Sequence, residues 1–113
     1  MFSISKAITE YSWPVVVHLP ADGGKVEKST FDATFKRVSA TRINEIREAI
    51  EAAKITDVSL ASEVLIGWSG VSDGDDALPY SEANKAALLD IPTVAAAIVR
   101  AFFESLSGAP RKN

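Results

Sequence analysis

His18 is the single histidine of the 113-residue chain, and cysteine is absent. A lone imidazole becomes a general base only beside a nucleophile it can activate, and a metal ligand only with others to share the ion. Ser12 and Ser29 can be paired with His18 only by free choice, and no thiolate exists to build a soft metal site. The imidazole therefore reads as an edge-strand or partly buried side chain. The run Asp73-Gly74-Asp75-Asp76 invites a calcium reading. Counted from Asp73, though, only Asp75 has ligand spacing, Gly74 is misplaced, and the twelfth residue is Asn84 instead of a bidentate Glu. A solvated acidic loop fits better. Asp22-Gly23-Gly24-Lys25 lacks the Gly-x-x-x-x-Gly-Lys-Ser/Thr frame that cradles phosphates and reads as a turn. No catalytic, cofactor-binding or metal-ligating residue is expected, and the sequence predicts a protein that is not an enzyme and needs no cofactor.

Aromatic residues offer binding chemistry instead. Trp68 ends an apolar stripe just before a loop, where it serves either as a core anchor or as an interface residue. Phe102 and Phe103 are adjacent and cannot share one narrow helical stripe, so either one faces a partner or a wide core arc takes both.

The elements that must position these groups change character along the chain. Trp13-Pro14-Val15-Val16-Val17-His18-Leu19 is β-branched and aromatic, and it stops at a Gly-rich turn. Beyond the turn Phe31, Ala33 and Phe35 alternate with Thr30, Asp32, Thr34 and Lys36, which predicts a hairpin with one apolar face. Pro14 has no N–H for a central ladder, so it places the first strand at an edge or marks its first residue. Such an edge could self-associate through Val15, Val16 and Val17.

From residue 41 the period becomes helical. Ile43, Ile46 and Ile50 with Ala49 and Ala53 form a stripe over residues 41–54, with Arg47 and Glu51 as an i, i+4 pair opposite. Thr56 or Asp57 caps a second helix with the stripe Val58, Ala61, Val64, Leu65 and Trp68, ended by Gly67 and Gly70. Residues 69–79 form the main loop. Ser81 caps a third helix over residues 82–90, and Pro92 opens a fourth that reaches Leu106, with Val94, Ile98, Phe102 and Leu106 on one stripe. Gly108 and Pro110 stop it, and the basic end Arg111-Lys112-Asn113 reads as a frayed tail. The expected fold is α+β: an N-terminal β-hairpin packed on about four helices, one domain over residues 1–113.

Charge narrows the partners. Twelve Lys plus Arg against fifteen Asp plus Glu give a net charge of −3, which argues against a nucleic-acid-binding surface. Between residues 57 and 90 seven acids face Lys85 alone, a local net charge of −6, while residues 1–40 are near neutral. The start lacks a basic region followed by a long apolar stretch, and the longest apolar run, residues 94–99, is far short of the roughly 20 residues that span a bilayer. A cytoplasmic protein without membrane partners is expected.

The order Trp68-Ser69-Gly70-Val71, acidic loop, Leu78-Pro79-Tyr80-Ser81, then Asn84, Leu88 and Leu89 resembles the small tail assembly chaperones of long-tailed bacteriophages and their prophage relatives. Phe31-Asp32-Ala33-Thr34-Phe35-Lys36-Arg37 looks like that family's strand signature, and the Ala-rich last helix with Phe102 and Phe103 is similar as well. The resemblance covers about residues 14–113. It implies a non-enzymatic protein of the host bacterial cytoplasm, absent from the mature virion. Such a protein holds the tape measure protein before the tail tube polymerises, with tail tube subunits as a further partner, while the exposed hairpin edge separately suggests a homo-oligomer. The acidic middle and the wide apolar arc of the last helix point to Trp68, Val71, Leu78, Tyr80, Phe102 and Phe103 as the expected partner-binding residues. The competing expectation is a structural tail component, such as a tail completion or connector protein, which would remain in the particle.

Overall fold

The computed structural model describes residues 1–4 and 9–108 of the chain. Pro110 and the basic end at residues 111–113 lie outside the described residues. Strand β1 (Glu10–Ala21) turns through Asp22–Gly24 into β2 (Lys25–Lys36), and the two pair antiparallel without a break from Glu10 opposite Lys36 to Ala21 opposite Lys25. Helices α1 (Ala40–Glu51) and α2 (Asp57–Val64) follow, then β3 (Leu65–Ser69), a small hairpin of β4 (Ser72–Asp73) and β5 (Asp76–Ala77), and helices α3 (Glu82–Leu89) and α4 (Val94–Ser107). The α+β architecture expected from the sequence is present, with an N-terminal hairpin and four helices.

Alternation builds the core. Val15 and Val17 of β1 and Ala33 and Phe35 of β2 turn to the same side of the sheet and are buried against Ile46, Leu60, Val64, Ile98 and Phe102. Phe35 meets both Tyr11 and Phe102 edge to face, with centroids 5.9 and 5.5 Å apart. Tyr11 in turn shares a 2.7 Å hydroxyl contact with Ser105, which ties β1 to the last turns of α4.

Local caps explain where helices start. Ser39 Oγ accepts from Arg42 N, and Thr56 and Ser59 form a reciprocal capping box. Ser81 Oγ accepts from Asn84 N. The fourth helix begins later than Pro92: its N-cap is Thr93, in left-handed backbone at φ 76°. Thr93 gives the helix no side-chain cap, because its hydroxyl donates instead to the His18 carbonyl of β1 at 2.8 Å. Ile50 and Leu106, both placed on buried stripes by periodicity, are 44% and 41% exposed near the ends of their helices. Arg47 and Glu51 form no ion pair; the Arg47 guanidinium lies over the Phe103 ring, 5.7 Å from its centroid. Arg42 is the paired cation, binding both carboxylate oxygens of Glu63 at 2.7 and 2.8 Å and so clamping α1 to α2.

The second helix corrects the sequence reading. It stops at Val64, and Leu65 to Ser69 becomes a third strand against β2, so the sheet order is β1-β2-β3. The register runs Ser69 opposite Asp32, Trp68 opposite Ala33, Gly67 opposite Thr34, and then Leu65 opposite Phe35. Ile66 is the extra residue of a bulge. That insertion lets Leu65 and Trp68, three apart, both face the core, so a spacing that looks helical arises in a strand. Gly67 supports the close pairing, since a Cβ there would stand 3.3 Å from the Thr34 Cβ.

Both outer strands leave backbone unpaired. Arg37 N donates to Thr9 O at 2.9 Å in continuation of the hairpin register, so odd-numbered residues of β1 and β2 bond to each other and even-numbered ones point outward. Pro14 and Pro20 therefore fall where no ladder N–H is needed, which settles Pro14 as an edge residue within the strand. On the other side β3 covers only Asp32 to Phe35, leaving Val26, Lys28 and Thr30 of β2 without a paired strand on that side among the described residues.

Candidate interaction surface

Trp68, Leu78 and Tyr80, which the sequence singles out separately, meet in one cluster. The indole of Trp68 packs edge to face on Tyr80 with centroids 5.0 Å apart and donates from Nε1 to the Leu78 carbonyl at 2.8 Å. Leu78 N donates to Val71 O at 2.9 Å, and Asn84 Nδ2 donates to Pro79 O at 2.8 Å. These bonds close the ends of residues 69–79. What the sequence presents as an open loop is thus a pinned hairpin whose two-residue turn starts with Gly74 at φ 64°. Its tip carries Asp73, Asp75 and Asp76, all exposed, with Asp73 directly opposite Asp76.

Lys85 supports the cluster from below and is a residue that sequence reasoning passes over. It is 7% exposed, and its ammonium donates to the carbonyls of Ser62 at 2.9 Å and Leu65 at 3.3 Å, the unpaired acceptors at the C-terminal end of α2. The same ammonium lies 3.6 Å from Glu82 Oε2 and 5.9 Å from the Tyr80 ring centroid. The Tyr80 hydroxyl is within bonding distance of Glu82 Oε2 and Leu65 O, at 3.0 and 3.3 Å. The only sequence signal for this role was a single cation amid Ala and Leu, three residues after Glu82.

Beside the cluster opens a groove of about 390 Å³, lined by Val17, Leu19, Phe31, Val71, Leu88 and Ile91 among others. Val71 belongs to it, whereas Leu88 and Ile91 were not expected at a surface site. Comparison of the chain with models of protein families, with curated proteins and with solved structures finds no match.

Phe102 and Phe103 lie apart from the Trp68 cluster. Phe102 is wholly buried against Phe35, so it cannot touch a partner; Phe103 is half-buried between Phe102 and Arg47. The Ala-rich face of α4 is also largely internal, with Ala95, Ala97 and Ala101 in the core. Val15, Val16 and Val17 are buried as side chains, and their edge is broken by the flanking prolines and capped at His18 by Thr93, which makes it poor ground for strand pairing.

His18 stands exposed on the outer face of β1. Ser12 is six residues away on the same strand face, and Ser29 points to the opposite face, so neither hydroxyl is brought to the imidazole. Among the described residues no group of three or more His, Cys, Asp or Glu is placed to hold a metal ion, and no single helix is long and apolar enough to cross a membrane.

Proposed function

We propose that this protein is a non-enzymatic chaperone of bacteriophage tail assembly that binds the tape measure protein, and tail tube subunits after it, in the host cytoplasm before the tube polymerises. The observation that carries this reading is the segment from Trp68 to Ser81. Its motif order resembles the tail assembly chaperones, and its residues form one displayed feature: an acidic hairpin held by the Trp68–Leu78 bond and the Trp68–Tyr80 contact. A holdase needs apolar ground to cover a partner's hydrophobic stripe and charge to keep the loaded complex dissolved. Val71 in the groove and the half-buried Phe103 supply apolar ground, and the three aspartates supply charge.

Co-expression with the tape measure protein of the same phage or prophage tests the reading. The partner is expected to become soluble and co-purify with this chain, and Val71→Asp and Phe103→Ser, checked for wild-type melting, are expected to reduce the soluble yield. A partner that stays insoluble with the wild-type chain overturns the proposal. Mass spectrometry of mature particles should find the chain missing; its presence there would make it a structural tail component instead.

A further inference from the structure

The 390 Å³ groove is uncharged inside and acidic at its margins. Leu19, Phe31, Val71, Leu88 and Ile91 are among the residues lining it, and among the described residues no lining residue is charged. Asp73 follows the lining residue Ser72 and faces Asp76 across the small hairpin. Asp90 precedes the lining residue Ile91, and Glu27 lies opposite Leu19 on the groove face of the sheet. All four acids are exposed, and among the described residues none of them is in an ion pair. The nearby cations are turned elsewhere. Lys28 is on the opposite face of β2, Lys85 is buried beneath the Trp68 cluster, and Lys25 sits past Glu27 at the turn. An apolar slot with such a rim repels phosphate and carboxylate groups and attracts ammonium and guanidinium groups.

The shape of the slot selects the form of the occupant. A Cβ on Gly70 would stand 3.7 Å from the Phe31 Cα, so the chain beyond β3 already runs beside the edge of β2 there and leaves no place for an added strand. Phe31 pairs with Val15, so Leu19 stands four residues along the hairpin from it, about 13 Å. Apolar side chains at i, i+4 and i+7 of an α-helix span about 10 Å, which fits that length.

We infer that the groove binds a cationic amphipathic helix of another protein, with apolar side chains at i, i+4 and i+7 against Phe31, Val71, Leu88 and Ile91, and with Lys or Arg on the helix flanks facing Asp73, Asp76, Asp90 and Glu27. The inference rests on the chaperone reading only for which protein supplies the helix.

Fluorescence anisotropy with labelled synthetic helical peptides tests it. One peptide carries Leu at i, i+4 and i+7 with Lys and Ala elsewhere, and its counterpart replaces each Lys with Glu. The Lys peptide should bind, with Kd weakening about tenfold as salt rises from about 50 to about 500 mM, and the Glu peptide should not. Asp73→Asn/Asp76→Asn/Asp90→Asn should weaken binding and remove most of the salt dependence. Ile91, 42% exposed, is the groove residue to change: Ile91→Ser should weaken binding about tenfold and keep the salt dependence. Where that variant melts below wild type, amide shift mapping on the wild-type chain takes its place, with the changes expected at Val71, Leu88 and Ile91. Absent binding of the Lys peptide, equal binding of the Glu peptide, a folded Ile91→Ser chain with wild-type affinity, or shifts confined to α1 and α2 overturns the inference. A chain that solubilises the tape measure protein yet ignores the Lys peptide overturns this inference alone, and one that binds the peptide yet leaves the tape measure protein insoluble overturns only the chaperone reading.

Discussion

Lys85 is the residue whose environment departs furthest from its type. Lysine is seldom buried unless paired, and here the pairing is with backbone: the Ser62 and Leu65 carbonyls that α2 leaves without intrahelical donors. Lys85→Met keeps the aliphatic stem and removes the donor, so the Ser62 carbonyl loses its side-chain partner and the Leu65 carbonyl keeps only the Tyr80 hydroxyl at 3.3 Å. The expected cost is about 1–3 kcal/mol in urea unfolding, and Lys85→Ala should cost more because the stem packing goes too. Glu63 behaves as an ordinary surface acid turned stabiliser. Its bidentate bond to Arg42 holds its carboxyl below the ordinary glutamate range, against the opposing effect of burial. A carboxylate with a depressed folded pKa stabilises fully above its unfolded value and loses that stabilisation as pH falls through the folded one. Glu63→Gln should therefore lower Tm by roughly 2–4 °C at pH 7, a small effect because the pair is partly solvated, and the gap to wild type should close by the most acid pH at which both remain folded. A gap that persists unchanged in acid would show that the loss is not electrostatic.

At the scale of elements, the hairpin and the caps were legible because each rests on local chemistry. Alternation in β2, Ser39, Thr56 and Ser81 at helix starts, and Asp-Gly-Gly at the turn are all set within a few residues. β3 was not, since its bulge at Ile66 gives Leu65 and Trp68 a three-residue spacing that belongs to helices in regular structure. Only the partner strand, about 30 residues earlier in the chain, decides between the two. The acidic hairpin was hidden for the same reason: its closure depends on an indole reaching a carbonyl ten residues away. Gly70 turns into it at φ 81°, and a Cβ there would stand 3.7 Å from the Phe31 Cα, an ordinary contact, so the obstacle to another residue is the backbone conformation alone. Any other residue there meets the left-handed penalty, so Gly70→Ala should cost about 1–2 kcal/mol. Because the strain falls on the hairpin and not on the core, the Trp68 indole N–H should also exchange with solvent faster in nuclear magnetic resonance spectra. An unchanged exchange rate would mean that the hairpin is held independently of this turn.

Over the whole molecule, charge and stability part company. The core that joins the hairpin to α4 is built from Phe35, Ile98 and Phe102, and it makes no use of the aspartates at residues 73–76. Asp73 and Asp76 face each other across the hairpin, an arrangement that costs stability because like charges directly opposite repel. Residues 57–90 carry seven acids against Lys85 alone, which is buried, so no exposed cation close in the sequence offsets the repulsion. Asp73→Asn should consequently raise stability by roughly 0.2–1 kcal/mol at low salt, and the gain should shrink as added salt screens the exposed pair. If the acids serve to keep a loaded partner dissolved, the triple variant Asp73→Asn/Asp75→Asn/Asp76→Asn should melt no lower than wild type yet yield less soluble tape measure complex on co-expression. Equal yields from the triple variant would separate the acidic tip from that role and leave the apolar residues Val71 and Phe103 as the basis of binding.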